Sequence, residues 1–358
     1  MPKRIGNLYN EIISVNHLVE IYSRAKIGKC RRASKMNFEL DFTTNILKMH
    51  NALKTNNYKP QPYNYFVLNT FKKREIYAPQ FQDIIIQHAI LDIIEPIFDK
   101  TLIEETHGCR KGHGIHTASN YVQKCMRKCD DNDYYLQLDI KKYFYSIDRD
   151  ILKKLIEKKI KDKVLVNLIC EYANIENVKS GVPIGNLLSQ FFGLIYLSPL
   201  DHFIKRELKQ KYYCRYVDDF IILGLKKYEI KSILSKIINF LSKELNLSLS
   251  KVKANKIKHG INFVGYRTWK HFRLVRKFCL KNFKRKVKNN KLLSVISMLG
   301  HSLRTSSYLK YIDILLKYNL NLVGFLPKKS LSKMKLVLLK NPLIKADNEY
   351  HKLSKNYI

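Results

Sequence analysis

Acidic residues are scarce in this chain. It holds 30 Asp and Glu against 66 Lys and Arg over 358 residues, a net charge of +36. That surplus goes well beyond what solubility requires and implies a polyanionic partner. Also missing is any run of roughly 18–20 uninterrupted apolar residues, the length a membrane helix needs. The opening Met1-Pro2-Lys3-Arg4-Ile5-Gly6 has no signal-peptide core. No strongly amphipathic basic helix stands apart from the core pattern, so no membrane partner is expected. The seven cysteines are scattered. Cys125 and Cys129 lie four apart on an expected helix, but no second pair completes a zinc site, and free thiols in a reducing cytoplasm are expected. The glycine-rich, basic stretch Gly108–Gly114 lacks the Gly-Lys-Ser/Thr ending of a Walker loop. With 46% hydrophobic residues the chain can build a core, and its length suits two or three subdomains around a shared cleft.

Because acids are few, those that interrupt apolar runs stand out. Arg215-Tyr216-Val217-Asp218-Asp219-Phe220-Ile221-Ile222-Leu223 reads as strand, turn at the aspartates, strand. Two carboxylates between apolar strands are costly unless a cation binds them, and hard oxygens suit Mg2+. A second Asp-Asp pair, Asp130-Asp131, lies in a polar run and reads as a solvated loop. Tyr134–Ile140 is another β-prone run, with Asp139 near its end. One acid ending a strand and two on a neighbouring hairpin make the set that two-metal phosphoryl transfer needs. The simpler reading of Asp139 is a cap on the following turn.

Tyr216-Val217-Asp218-Asp219 resembles the YxDD box of reverse transcriptases, and Leu138-Asp139 with Phe144 resembles their first palm motif. Further blocks match in order: Lys72–Pro79, Cys109–Gly114, Gly181–Gln190, Lys251 and Gly260–Arg267. The resemblance covers most of residues 60–310. It implies an α+β right-hand polymerase: fingers, a palm with an antiparallel sheet, and a helical thumb. The expected divisions are 1–130 (N-terminal segment and fingers), 131–149 (first palm part), 150–195 (connection), 196–268 (palm and primer grip) and 269–358 (basic thumb).

The resemblance also implies roles. Asp139, Asp218 and Asp219, with the backbone of Ile140, would hold two Mg2+ ions, for which Mn2+ could substitute. Lys72, Arg74 and Arg110 would meet the triphosphate, since guanidinium pairs with phosphate. Phe144 would sit under the sugar, where a rigid ring excludes a 2′-hydroxyl and argues for deoxynucleotides. Ile184, Gly185 and Gln190 would line the template–nucleotide pair. Lys251 would protonate the leaving pyrophosphate, a task also open to Lys253. Gly260, Phe263, Gly265 and Tyr266 would form the primer grip. Partners implied are template RNA, RNA/DNA duplex and dNTPs.

Pro183-Ile184-Gly185-Asn186 followed by Ser189-Gln190, where most reverse transcriptases have Ser-Pro, resembles the enzymes of diversity-generating retroelements. Leu188 departs from the Thr usual there. Such enzymes copy a template RNA with errors at adenines, beside a small basic accessory protein. The alternative is a defence-associated bacterial reverse transcriptase using a structured noncoding RNA; a third reading is a noncatalytic RNA-binding module. Bacterial or phage-encoded, cytoplasmic protein is expected in each case.

Apolar spacing predicts helices over Leu8–Arg24, Phe38–Leu53, Gln82–Phe98, Ile115–Lys128, Asp148–Ile160 with Asp148 as cap, Val164–Tyr172, Phe191–Phe203 and Ile230–Leu245. Between the first two lies a basic loop, Lys26–Arg32, expected to meet template phosphates. From Trp269 onward the chain has 21 Lys/Arg and three Asp/Glu. A segment that tracks a duplex by its phosphates needs such charge and no base readout. No zinc ligands, HNH-type histidines or RNase H acidic cluster are expected there.

Overall fold

Helix breaks in this protein fall at caps and prolines, even inside apolar periodicity that runs on. The computed structural model describes residues 4–28, 33–69, 73–175, 178 and 180–339. The first expected helix is two, α1 (Tyr9–Ile13) and α2 (Val15–Ala25), parted at Ser14, whose hydroxyl accepts from the His17 N–H and caps α2. The second is likewise α3 (Ala33–Leu40) and α4 (Phe42–Lys54). Part of the basic loop before α3, residues 29–32, lies outside the described residues.

An antiparallel hairpin follows, β1 (Asn64–Asn69) and β2 (Lys73–Ala78). Then come α5 (Phe81–Asp99), β3 (Thr106–His107), α6 (Ile115–Arg127), β4 (Tyr134–Ile140), α7 (Tyr143–Ser146), α8 (Arg149–Glu157) and α9 (Lys163–Glu171). Asp148 caps α8 as expected, accepting from the N–H groups of Asp150 and Ile151. The helix expected to reach Phe203 is instead α10 (Leu187–Tyr196), α11 (Ser198–His202) and a π-helical turn over Phe203–Glu207. Pro199 in the first turn of α11 explains the break, because it has no N–H to continue the ladder. Next are β5 (Tyr212–Tyr216), β6 (Asp219–Leu225), α12 (Glu229–Leu245) and β7 (Leu249–Lys256). The chain then forms β8 (Ile261–Phe263), β9 (Tyr266–Thr268), β10 (Arg273–Val275), α13 (Lys277–Lys288), α14 (Leu292–Ser302), α15 (Tyr308–Tyr318) and α16 (Lys328–Leu339).

These elements fall into two compact units: residues up to Ala118 with Tyr134–Ala254, and Ser119–Asp133 with the chain from Asn255. The expected division differs in placing the 260–268 hairpin with the preceding residues; it groups with the basic helices.

In the first unit a five-stranded sheet has the order β3-β5-β6-β4-β7. The pairs β5/β6 and β6/β4 are antiparallel, and β3 lies parallel to β5. Helices cover it with apolar stripes: α12 buries Ile233, Ile237, Leu241 and Leu245, four residues apart. Each such side chain contributes about 1.5–3 kcal/mol on burial. α5 is buried on several faces, as a core helix should be, and includes a buried acid, Asp83. That carboxylate accepts from the Tyr58 and Tyr172 hydroxyls and the Gln61 N–H.

The second unit has a three-stranded antiparallel sheet, β10-β9-β8. Its core gathers Tyr266, Phe283, Val287, Val295, Tyr311 and Leu315. On α13, Phe283 and Val287 turn inward while Lys281, Lys284, Arg285 and Lys288 stay exposed. The α+β class is therefore as expected.

Candidate active site

Pairing register brings the acids together. Along β4 and β6, Leu138 faces Phe220 and Asp139 faces Asp219. Directly opposed residues of an antiparallel pair share a face, with Cβ atoms ~4.5–5.5 Å apart. The alternation that buries Leu138 and Phe220 thus puts the two carboxylates on one face. The Ile140 N–H donates to the Asp218 carbonyl at 3.3 Å, so the backbone of Ile140 also borders the turn.

The reversal itself is Val217-Asp218, one residue earlier than expected, because Asp219 already belongs to β6. Val217 takes a left-handed conformation, φ +57. For a β-branched residue that costs roughly 1–2 kcal/mol. Three contacts hold it there. Its N–H donates to the His107 carbonyl (3.1 Å), and its carbonyl accepts from Arg215 Nη1 (2.9 Å). Its side chain lies on Gly108, where a Cβ would come within 2.8 Å of Val217 Cγ2. The glycine-rich loop thus backs the acid turn.

Asp139 and Asp219 each accept from a neighbouring side chain. Ser250 Oγ donates to Asp139 Oδ1 at 2.7 Å. Gln137 Nε2 donates to both oxygens of Asp219, at 2.9 and 3.1 Å. Burial pushes the Asp219 carboxyl up to about 6; the charges of Asp139 and Asp218 push the same way, while Gln137 and Lys251 oppose. Lys251 is therefore close enough to Asp219 for its charge to be felt, while Lys253 lies 5.9 Å over the Tyr135 ring.

Among the described residues no three His, Cys, Asp or Glu side chains converge into a ready metal cage. The donor set nevertheless fits Mg2+, which keeps several waters and takes one or two carboxylates plus substrate phosphates. A buried carboxyl held up by two like charges is what a divalent cation would relieve.

The residues expected around a nucleotide are partly assembled. Lys72 lies outside the described residues. Arg74 sits exposed on β2, opposite Leu68. Two residues after Ile76's neighbour Glu75 begins the contact with the 181–190 block: Tyr77 N–H donates to the Ile184 carbonyl at 2.7 Å. At Gly185, φ +111, a Cβ would lie 2.9 Å from Ile76 Cγ2 and 3.2 Å from the Tyr77 carbonyl. The hairpin bearing Arg74 is thereby seated on Ile184 and Gly185. Phe144 joins the same block, its carbonyl accepting from the Val182 N–H at 2.8 Å. Gln190 is exposed and lines a cavity of about 340 Å³ with His88, Leu187 and Phe191.

Arg110 is a correction. Its side chain is 6% exposed, with Nε donating to Asp99 Oδ1 at 2.6 Å and Nη1 to the Ile103 carbonyl at 2.9 Å. Those bonds spend the guanidinium on the loop's own structure, so it is not presented to a phosphate. In the second unit, Phe263 and Tyr266 are buried core residues of the expected grip, not surface contacts. Tyr266 stacks on His301 at 4.4 Å and donates to its carbonyl. Gly260 and Gly265 have positive φ and shape the β8–β9 hairpin.

Residue spacing did not reveal Gln137, Ser250, Asp83 or the Arg215–Asp201 pair. The signal for Arg215 was present: a lone cation inside the apolar strand Tyr212–Tyr216 needs a buried acid. No spacing rule identifies which acid.

Three curated relatives show how far the likeness extends. The chain is 33% identical over 178 residues to the group II intron-encoded protein LtrA of Lactococcus lactis subsp. cremoris, covering 47% of this chain and 29% of that protein. It is 23% identical over 265 residues to protein YkfC of Escherichia coli strain K12, 61% of this chain and 70% of that one. A shorter match, 25% over 91 residues, reaches nuclear intron maturase 1, mitochondrial, of Arabidopsis thaliana, covering 25% of this chain and 12% of that protein. The chain thus spans less than a third of the length of the lactococcal protein. Residues 60–268, more than half of the 358, match the family described as reverse transcriptase (RNA-dependent DNA polymerase), and the chain belongs to that family.

Proposed function

We propose that this protein is an RNA-directed DNA polymerase that extends a primer on an RNA template with deoxynucleotides. The observation that carries the reading is Asp139 opposite Asp219 across β4/β6, with Asp218 in the turn between β5 and β6. In the reaction the primer 3′-hydroxyl gives up its proton to water, its oxygen bonds to the nucleotide α-phosphorus, and the bond from that phosphorus to pyrophosphate breaks. When bound, divalent ions supply charge neutralisation for the attacking and leaving oxygens. Asp139 and Asp218 would hold them, with Asp219 and the Ile140 carbonyl completing the set. Gln137 and Ser250 fix the carboxylates of Asp219 and Asp139 in place. Lys251 donates the proton that pyrophosphate takes on leaving. Arg74, with Lys72, binds the triphosphate, and Phe144 excludes a 2′-hydroxyl.

The basic helices of the second unit carry the duplex by its phosphates, as a thumb does. Ser189-Gln190 after Pro183-Ile184-Gly185-Asn186 supports a place in a diversity-generating retroelement, with misreading at template adenines. The match to the lactococcal intron-encoded protein supports a second reading, a retroelement polymerase of the intron type.

Primer extension on RNA with dNTPs and Mg2+ tests the activity. Asp218→Ala should reduce it by roughly 10³-fold or more while the variant still binds RNA. Unchanged extension by Asp218→Ala sinks the assignment. Sequencing the cDNA tests the role: substitutions concentrated at template adenines are expected, and a faithful product refutes it.

A further inference from the structure

Arg215, on β5, is fully buried, and so is Asp201 on α11. The two form a fork: Nε donates to Oδ1 and Nη2 to Oδ2, both at 2.7 Å. The carboxylate also accepts from the Tyr213 hydroxyl (2.6 Å) and Thr106 Oγ1 (2.8 Å). Two further bonds of Arg215 go to backbone carbonyls: Nη2 to Leu194 on α10 (3.1 Å) and Nη1 to Val217 (2.9 Å).

A buried ion pair is a poor device for stability alone, since apolar residues of the same volume often serve as well. Apolar residues cannot offer a donor aimed at the Val217 carbonyl. That carbonyl belongs to the left-handed residue immediately before Asp218. A sparsely populated conformation persists only when its surroundings over-determine it. The same guanidinium reaches α10, the helix that carries Gln190.

We infer that Arg215 is a positioning residue for the acid turn: anchored by Asp201, its guanidinium holds the Val217 carbonyl and thereby sets where the Asp218 carboxylate stands relative to Asp139. It touches no substrate atom and acts through the turn. Lysine cannot replace it, because one ammonium cannot span a bidentate carboxylate and two carbonyls at once. The inference rests on the polymerase reading above and deepens it.

The test compares wild-type protein, Arg215→Lys, and the neutral double variant Arg215→Gln with Asp201→Asn, which leaves no buried orphan charge. Each is measured for thermal unfolding, kcat, KM for dNTP, and the Mg2+ concentration for half-maximal rate. Supports that orient metal-binding carboxylates are typically worth about 10–100-fold, so kcat should fall by that factor and the Mg2+ requirement should rise severalfold. KM for dNTP should stay within about threefold, since Arg215 bonds to no described residue of the β1–β2 hairpin that bears Arg74. A folded variant of either kind with wild-type kcat and Mg2+ dependence overturns the inference. Unfolding of both variants also overturns it, because the pair would then be core structure only. A wild-type protein that extends no primer fails the underlying reading instead, and that is seen before any variant is compared.

Discussion

Replacing Gly185 by alanine probes how the β1–β2 hairpin is seated. Two costs follow from the geometry. The first is backbone strain: φ +111 is a conformation that side chains rarely adopt, at about 1–3 kcal/mol. The second is contact. Ile76 Cγ2, 2.9 Å from the new Cβ, can turn away, but the Tyr77 carbonyl at 3.2 Å is backbone. Relieving it moves β2 by a few tenths of an ångström and loosens the bond from Tyr77 N–H to the Ile184 carbonyl, a loss of about 0.5–1.5 kcal/mol. The sum is about 1.5–4.5 kcal/mol. Gly112→Ala is the control: Gly112 also has positive φ, +76, but nothing lies within 4 Å, so only strain of about 1–2 kcal/mol applies. Urea unfolding should show a lower midpoint at unchanged slope for both, with the larger shift for Gly185→Ala. Because Arg74 rides on β2, Gly185→Ala should also raise KM for dNTP by about tenfold. Equal stability of the two variants, with wild-type KM for both, would refute the seating argument.

Asp219→Asn should abolish extension yet stabilise the metal-free protein. The folded carboxyl keeps its proton to about pH 6 against an ordinary value of 3.8, so its contribution to stability is full below about 4 and lost as pH rises through about 6. Above pH 6 in chelator the variant should exceed the parent by up to about 3 kcal/mol, and at pH 4 the two should coincide; denaturant midpoints across that range decide it. For the lysines, Lys251→Ala should slow single-turnover nucleotide addition by about 10²–10⁴-fold, and Lys253→Ala far less. The reverse ranking would move the proton donor to Lys253.

The acids of the candidate site stood out in the local pattern, because Asp139, Asp218 and Asp219 break apolar β runs, but it was the resemblance to reverse transcriptases that made them a set. Asp148 was legible as a cap from local pattern, since it needs only the N–H groups two and three residues on. Arg110 was misjudged for a physical reason: a cation in a glycine-rich loop looks available, but burial turned it to Asp99, eleven residues earlier in the chain. Phe263 and Tyr266 lie at the paired ends of the β8–β9 hairpin, and its pattern could not say that both would be buried or that the Tyr266 ring enters the core of the second unit.

The sequence by itself determined the basic character of the chain and the acid-bearing strands, since charge count and alternation are local properties; the α+β class followed from the family that its motifs resemble. Tertiary structure alone decided that Asp139 stands opposite Asp219, that Gln137 and Ser250 hold them, and that Arg215 finds Asp201. Those pairings depend on strand register and helix docking, where side chains far apart in the chain meet only after the core has packed.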